Sequence, residues 1–277
     1  MNLQSTIVKL LDLPFYTEGP CADDAGNCFF TTLSGGQLLH MRPGEAPVRW
    51  AEAGCPNGQL ITSGGTHLVC DSGAGSIVQF DREGNRTGAL LNKQYAGHTV
   101  YCPNDLIEDR DGNVFFTDSV RDSGRVFKVG KDGSGECIAA GVDYPNGLAL
   151  SPDESLLYVA ESYRNRILAI SLNGKPGPSV FVWAVLPGHR SGRPADNLPD
   201  GLATDAQGRV WVAHYGMQAI QVFSPEGTLL ASLDTKLPLT SNLCFVSDQP
   251  HRKTVLITGG YAEPGPGAVL MMTVDVI

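Results

Sequence analysis

Apolar side chains in this chain gather in short runs rich in Val, Ile, Leu, Phe and Tyr, and each run stops at Gly, Pro, Asn or Asp. "NDLIED" leads through "RDG" to "NVFFTDS", then through "RDSG" to "RVFKVG". Further on, "LALS" passes through "PDES" to "LLYVAES", then through "YRN" to "RILAISL". Runs this short, β-branched and aromatic and punctuated by turn residues, predict strands. The pairs at Asp111, Asp132, Asn173 and Glu226, each followed by Gly, are hairpin signals between them. No segment sustains a 3.6-residue apolar period beyond about three turns, so the pattern predicts an all-β chain.

The strand pattern repeats. Each copy opens on Pro or a small residue, then a short polar residue, then an apolar run: "TEGPCADDAGNCFFTTL", "CPNGQLITSGGTHLVCDSG", "CPNDLIEDRDGNVFFTDSV", "YPNGLALSPDESLLYVAES", "LPDGLATDAQGRVWVAHYG" and "LTSNLCFVSDQPHRKTVLITGG". The polar position is Glu18, Asn57, Asn104, Asn146, Asp200 and Ser241, at intervals of 39, 47, 42, 54 and 41 residues by subtraction. Periods near 40–50 residues mark four-stranded propeller blades. The prediction is a six-bladed β-propeller, one domain over residues 1–277. Its closure is expected from "GAVLMMTVDV", "STIVKLLDL" or both pairing within one blade, which leaves no open edge. The long lead-in to the fifth unit, "LPGHRSGRPADN", reads as a loop over one face.

The repeat also locates chemistry. The innermost strand of each blade lines the central channel, so six equivalent positions converge near one end of the axis. They offer short oxygen donors, two of them charged, and no imidazole or thiolate. Hard divalent cations prefer such sets, and Ca²⁺ tolerates their irregular geometry best, with Mg²⁺, Mn²⁺ and Zn²⁺ as alternatives. Glu18 and Asp200 together match one divalent charge. A single Pro-Asn-Gly is turn chemistry. Pure turn need would repeat one residue, whereas alternation among Glu, Asn and Asp at a fixed slot reads as ligand assignment.

Charge and cysteine content narrow the setting. The formal net charge of −9 leaves no basic patch for phosphates and excludes nucleic acid as a partner. Seven Cys without a Cys-x-x-Cys, and an opening "MNLQSTIVKLLDLPF" without a basic n-region, predict a reduced, cytoplasmic setting. No run is long enough to cross a bilayer, so no membrane is expected as a partner. "SGGTH" and "DSGAGS" precede no helix, and "DGSGE" lacks the strand-to-helix context of a nucleophile elbow. Cys55 and Cys102, each directly before "PN", lack a basic neighbour in sequence and read as small packing residues.

"PNGLALSPDESLLYVAES", "PDGLATDAQGRVWVA", "PNDLIEDRDGNVFFTDS" and the early "EGP" resemble the senescence-marker-protein/gluconolactonase/luciferin-regenerating family over nearly the whole chain. That resemblance implies one axial divalent cation and hydrolysis of a small lactone; diisopropyl fluorophosphatase and the paraoxonases are similar in architecture. By motif it implies Glu18, Asn146 and Asp200 as metal ligands, with Asn104 contacting metal, substrate or both. Some members hold sugar lactones with an Arg two residues before that Asn, where this chain has Cys102. A structural second calcium of some relatives is not implied, since Ala203 stands where an Asp would be expected. The resemblance favours Asp200 as general base, and Asp105, beside Asn104, is the second candidate. Asn57, Asp118 at a strand end and His98 before a ring motif complete the candidate substrate contacts. His67 and His214 read as packed core residues, His189 and Arg190 as residues of the long loop. Two alternatives stand beside the lactonase reading: a phosphotriesterase or arylesterase at the same site, and a non-catalytic ligand- or protein-binding propeller.

Overall fold

Six antiparallel sheets succeed one another around an axis, as the repeat predicts. The computed structural model describes residues 3–42, 44–173 and 179–276. Blades 1 to 5 occupy residues 17–52, 56–99, 103–142, 145–185 and 198–234, and blade 6 begins at residue 239. Within blades 1 to 5 the strands run from the axis outward in chain order. Blade 2 carries two additional short outer strands, Gln94–Tyr95 and His98–Thr99. Blade 6 is closed by the opposite end of the chain: Leu3–Leu13 pairs antiparallel with Gly267–Val276 as its outermost strand. The six innermost strands touch in a closed cycle, blade 6 against blade 1 included. Within the described residues, only two 3₁₀ turns, Ser162–Arg164 and Pro194–Asp196, interrupt the strands.

The core is divided by blade interface. Six apolar clusters each draw side chains from two adjacent blades. The middle strand Val114–Asp118 of blade 3 shows how: Val114 and Phe116 face the blade 2 cluster while Phe115 faces that of blade 4. A strand covered on both faces reads as a continuous apolar run, because neither side meets water. The outer strand Val48–Glu52 of blade 1, by contrast, is mostly exposed. The Asp111, Asp132 and Glu226 turns carry their glycines at φ near +84°, +86° and +82°. The Asn173 pair falls partly outside the described residues. No described helix is long and apolar enough to cross a membrane, and all seven cysteines are free.

A bulge at or directly beside the ring residue in every innermost strand positions the ring. Pairing with the second strand slips between Glu18 and Cys21, Pro56 and Gln59, Pro103 and Leu106, Pro145 and Leu148, Pro199 and Leu202, and Thr240 and Asn242. A bulge sets two residues opposite one and re-aims a side chain. In blades 2 to 5 the first bulged residue is the ring residue; in blade 1 Glu18 still pairs with Thr31 and the slip follows it, and in blade 6 Ser241 is the residue skipped. The residue after the ring residue sits so close to the next blade that a Cβ on Gly147 would meet the Asp200 carbonyl oxygen at 2.5 Å, and one on Gly201 the Asn242 Cα at 2.7 Å. Four blades have Gly there. The opposed blades 3 and 6 have Asp105 and Asn242 instead, and these two hydrogen-bond to each other in the channel.

Candidate active site

Five of the six ring residues, Glu18, Asn57, Asn104, Asn146 and Asp200, line one cavity of about 240 Å³ at the channel end. Ser241, the sixth, is fully buried behind Glu18, its hydroxyl donating to the Thr17 carbonyl (3.0 Å). Blades 1 to 4 each anchor the next blade's bulge. Thr31 and Thr117 donate from their second strands to the carbonyls of Asn57 (2.9 Å) and Asn146 (2.8 Å). Ser72 and Ser162 donate to the carbonyls of Pro103 and Pro199, both at 2.7 Å. The ring is therefore fixed by hydrogen bonds that cross from blade to blade.

The walls come from positions the ring motif does not contain. Tyr16, Tyr144 and Leu198 each stand two residues before a ring residue, the slot Cys102 fills before Asn104. Tyr144 holds φ +63°, a left-handed conformation that a bulky side chain adopts only when its surroundings impose it. Leu33, Tyr163 and Glu263 come from loops joining second and third strands, and Tyr215 from the end of a second strand. Tyr215 hydrogen-bonds Glu263 and packs edge-on against Tyr16, with ring centroids 6.5 Å apart. The long loop before blade 5 reaches the cavity through Ala195. No Lys, Arg or His is among the lining residues.

This composition dominates the electrostatics. Burial, reinforced by repulsion from neighbouring carboxylates, pushes the Glu18 carboxyl up to about 8. Burial and then the charges of Glu18, Glu263 and Asp105 push Asp200 well above the usual carboxylate range, against a hydrogen bond from Asn146. Burial beside these acids also raises Tyr16, Tyr144 and Tyr215, so their hydroxyls stay protonated donors. Asn57 Oδ1 is buried without a protein partner. Two buried carboxylates without a base beside them and an orphaned amide oxygen suit a hard divalent cation, which would supply the missing charge and accept oxygen donors. Among the described residues no cluster of three or more His, Cys, Asp or Glu has metal-site spacing. The ring's ligand character rests on two acids and three amides, an oxygen set rather than a zinc-type one.

Three of the expected residues lie elsewhere. Asp105 is one residue deeper than the ring, facing a separate channel cavity with Asn242 and Gln59. Burial lifts its carboxyl to about 6 against hydrogen bonds from the Leu106 N–H and Asn242. Asp118 is fully buried, and its Oδ1 accepts the N–H groups of Tyr101 (3.0 Å) and Cys102 (2.7 Å). Asp71 holds Gly54 and Cys55 in the same way (2.9 and 3.0 Å), so the acid clamps the turn leading into its own blade. His98 sits on the outer edge of blade 2, paired with Tyr95 and 6.0 Å from the Phe127 ring. His214 is a packed residue bonded to Asn165 and Gln221, and burial lowers it to about 3. A larger groove, about 570 Å³, runs between blades 1 and 2 beside His40 and His67, but contains no ring residue.

Residues 16–260 match the family described as SMP-30/gluconolactonase/LRE-like. A gluconolactonase of Zymomonas mobilis is 32% identical over 80% of this chain, which spans 65% of that relative's length. Among solved structures, a gluconolactonase from Xanthomonas campestris superposes with TM-score 0.82 at 27% identity, covering 98% of this chain and 90% of that one. Regucalcin from Agrobacterium tumefaciens, described as a calcium-binding protein, shares the fold at TM-score 0.73 and 18% identity, with 97% and 96% coverage. With its six blades and its ring of bulged polar residues, the chain belongs to the SMP-30/gluconolactonase/LRE-like family.

Proposed function

We propose that this chain is a metal-dependent lactonase that opens a small cyclic ester by attack of water. One observation carries the reading: oxygen-bearing side chains from five blades meet in one cavity, with Glu18 and Asp200 buried together and no basic side chain lining it. Glu18, Asn146 and Asp200, with Asn104, would hold the cation, for which Ca²⁺ fits the donor set best. Bound there, a divalent cation polarises the ester carbonyl and stabilises the charge that develops on its oxygen.

The remaining work falls to the chain's own groups. Asp200 accepts a proton from water as the water oxygen attacks the carbonyl carbon, and returns it to the ring oxygen when the C–O bond breaks. A carboxylate neutralised by a nearby divalent charge stays ionised, which suits a base at neutral pH. Asp105 lies a layer below, outside the cavity lining, so Asp200 is the better placed of the two. The Asn57 and Asn104 amides orient the substrate through hydrogen bonds, and the tyrosine walls limit the water in the cavity.

A panel of sugar and aliphatic lactones, with a phosphotriester and an aryl ester as comparisons, tests this by proton release. Chelation is expected to lower turnover of the best lactone at least about 100-fold, and one of Ca²⁺, Mg²⁺, Mn²⁺ or Zn²⁺ to restore it. Undiminished turnover after exhaustive metal removal overturns the proposal.

A further inference from the structure

We propose that Glu263 makes this cavity charge-selective, admitting neutral hydroxylated lactones and rejecting lactones that carry an acidic substituent. The inference rests on the lactonase reading above. Three acidic side chains line the cavity, Glu18, Asp200 and Glu263, and no basic one does. Glu18 and Asp200 belong to the ring, where a divalent cation would match their two charges. Glu263 does not: it hangs, exposed, from the loop between the second and third strands of blade 6, and no basic side chain lines the cavity beside it.

Cations nearby are already engaged. Arg121 lies over the Tyr163 ring (3.6 Å), but its Nε is held by Asp143 at 2.7 Å, and Arg164 reaches the same carboxylate at 3.3 Å. The slot before Asn104 is Cys102, which is uncharged. Glu263 is also held in place: Tyr215 hydrogen-bonds it and is itself packed against Tyr16. An ionised carboxylate offers about four acceptor positions, so one bond to Tyr215 leaves others for substrate hydroxyls. Glu263 is exposed at the cavity mouth, so water screens it in part, but an acidic substituent in the same space meets its like charge with no basic side chain in the lining to offset it. Hydroxyl donors are welcomed and acids repelled by the same group.

The test compares two lactones of one ring type, a neutral hexonolactone and its counterpart bearing a terminal carboxylate, on metal-loaded enzyme. Wild type is expected to favour the neutral ring at least about tenfold in kcat/KM, mainly through KM. Glu263→Gln is expected to bring the ratio within about threefold of unity. Tyr215→Phe, which releases the carboxylate, shifts it the same way by less. Calorimetry is expected to show Glu263→Gln binding the metal within about threefold of wild type, and binding the hydroxy-acid product at least about tenfold tighter. An unchanged ratio in folded Glu263→Gln, or metal affinity lost along with selectivity, overturns the assignment. Wild type that binds metal but opens neither lactone refutes the lactonase reading itself, and this inference with it.

Discussion

Replacing Asp200 by Asn is expected to lower kcat/KM for lactone opening by about 10³-fold or more at saturating metal, because the substitution keeps the shape and one ring oxygen but removes both the charge and the base. General-base catalysis alone contributes about 10²–10⁴-fold. Raising the metal concentration separates the two losses: weakened cation binding is recovered, the missing base is not. The same variant is expected to melt higher than wild type in chelator, because Asp200 in the metal-free protein is a buried carboxylate facing Glu18 and Glu263. Steady-state kinetics and thermal melts, each with and without metal, check both halves. Full turnover by Asp200→Asn would remove Asp200 from the base role.

In chelator, the protein is expected to lose stability as pH rises from 5 to 8.5, opposite to the usual acid denaturation of paired carboxylates. The sign follows from direction. Glu18 is raised from 4.5 to about 8 and Asp105 from 3.8 to about 6, each chiefly by burial, and Asp200 moves the same way. A carboxyl raised on folding binds its proton more tightly in the folded state. Its stabilisation is complete below the unfolded value and is lost as pH passes the folded one. At about 1.4 kcal/mol per unit, Glu18 alone corresponds to several kcal/mol, or a Tm lower by about 10 °C for a chain of this size. Asp143, held down against its burial chiefly by Arg121, and Asp196, held down by hydrogen bonds from Ser191 and then Arg193, act in the other direction at more acidic pH than this window. A saturating divalent cation is expected to abolish the loss. Calorimetric melts at pH 5 and 8.5 decide it; a chelated protein as stable at 8.5 as at 5 contradicts the account.

The blades and the ring were legible because both are local. Each bulge needs a short polar residue followed by Gly or an amide or acid, so "PNG", "PND" and "PDG" mark it wherever they stand, and the second-strand runs are apolar because both faces are covered. The closing strand Leu3–Leu13 was legible for the same reason, as an unpartnered strand pattern. The walls were less so. Tyr16, Tyr144 and Leu198 share a slot that the motif alignment displays, but of its members only Cys55 and Cys102 carry a sequence signal that draws notice. Glu263 lies outside the ring motif, in the kind of loop that supplies Leu33 and Tyr163 in blades 1 and 4, and only the folding of that loop brings it to the cavity. Asp118 misled because an acid at a strand end resembles a channel residue. The paired signal "DS" at Asp71 and Asp118, with "ES" at Glu161, marks a clamp: the acid holds backbone N–H groups of its own blade's lead-in, and the Ser holds the next blade's Pro carbonyl. Asp105 shows the limit of adjacency, since neighbouring residues in a bulge face different levels of the channel.

Whether Glu18, Asn146 and Asp200 hold one ion at the axis is answered by anomalous diffraction from crystals grown with Mn²⁺ as a stand-in for the native cation. The account predicts one strong peak within coordinating distance of oxygens of all three side chains, with Asn104 beside it. Ordered side chains with no peak between them, or a peak only elsewhere on the molecule, would contradict it.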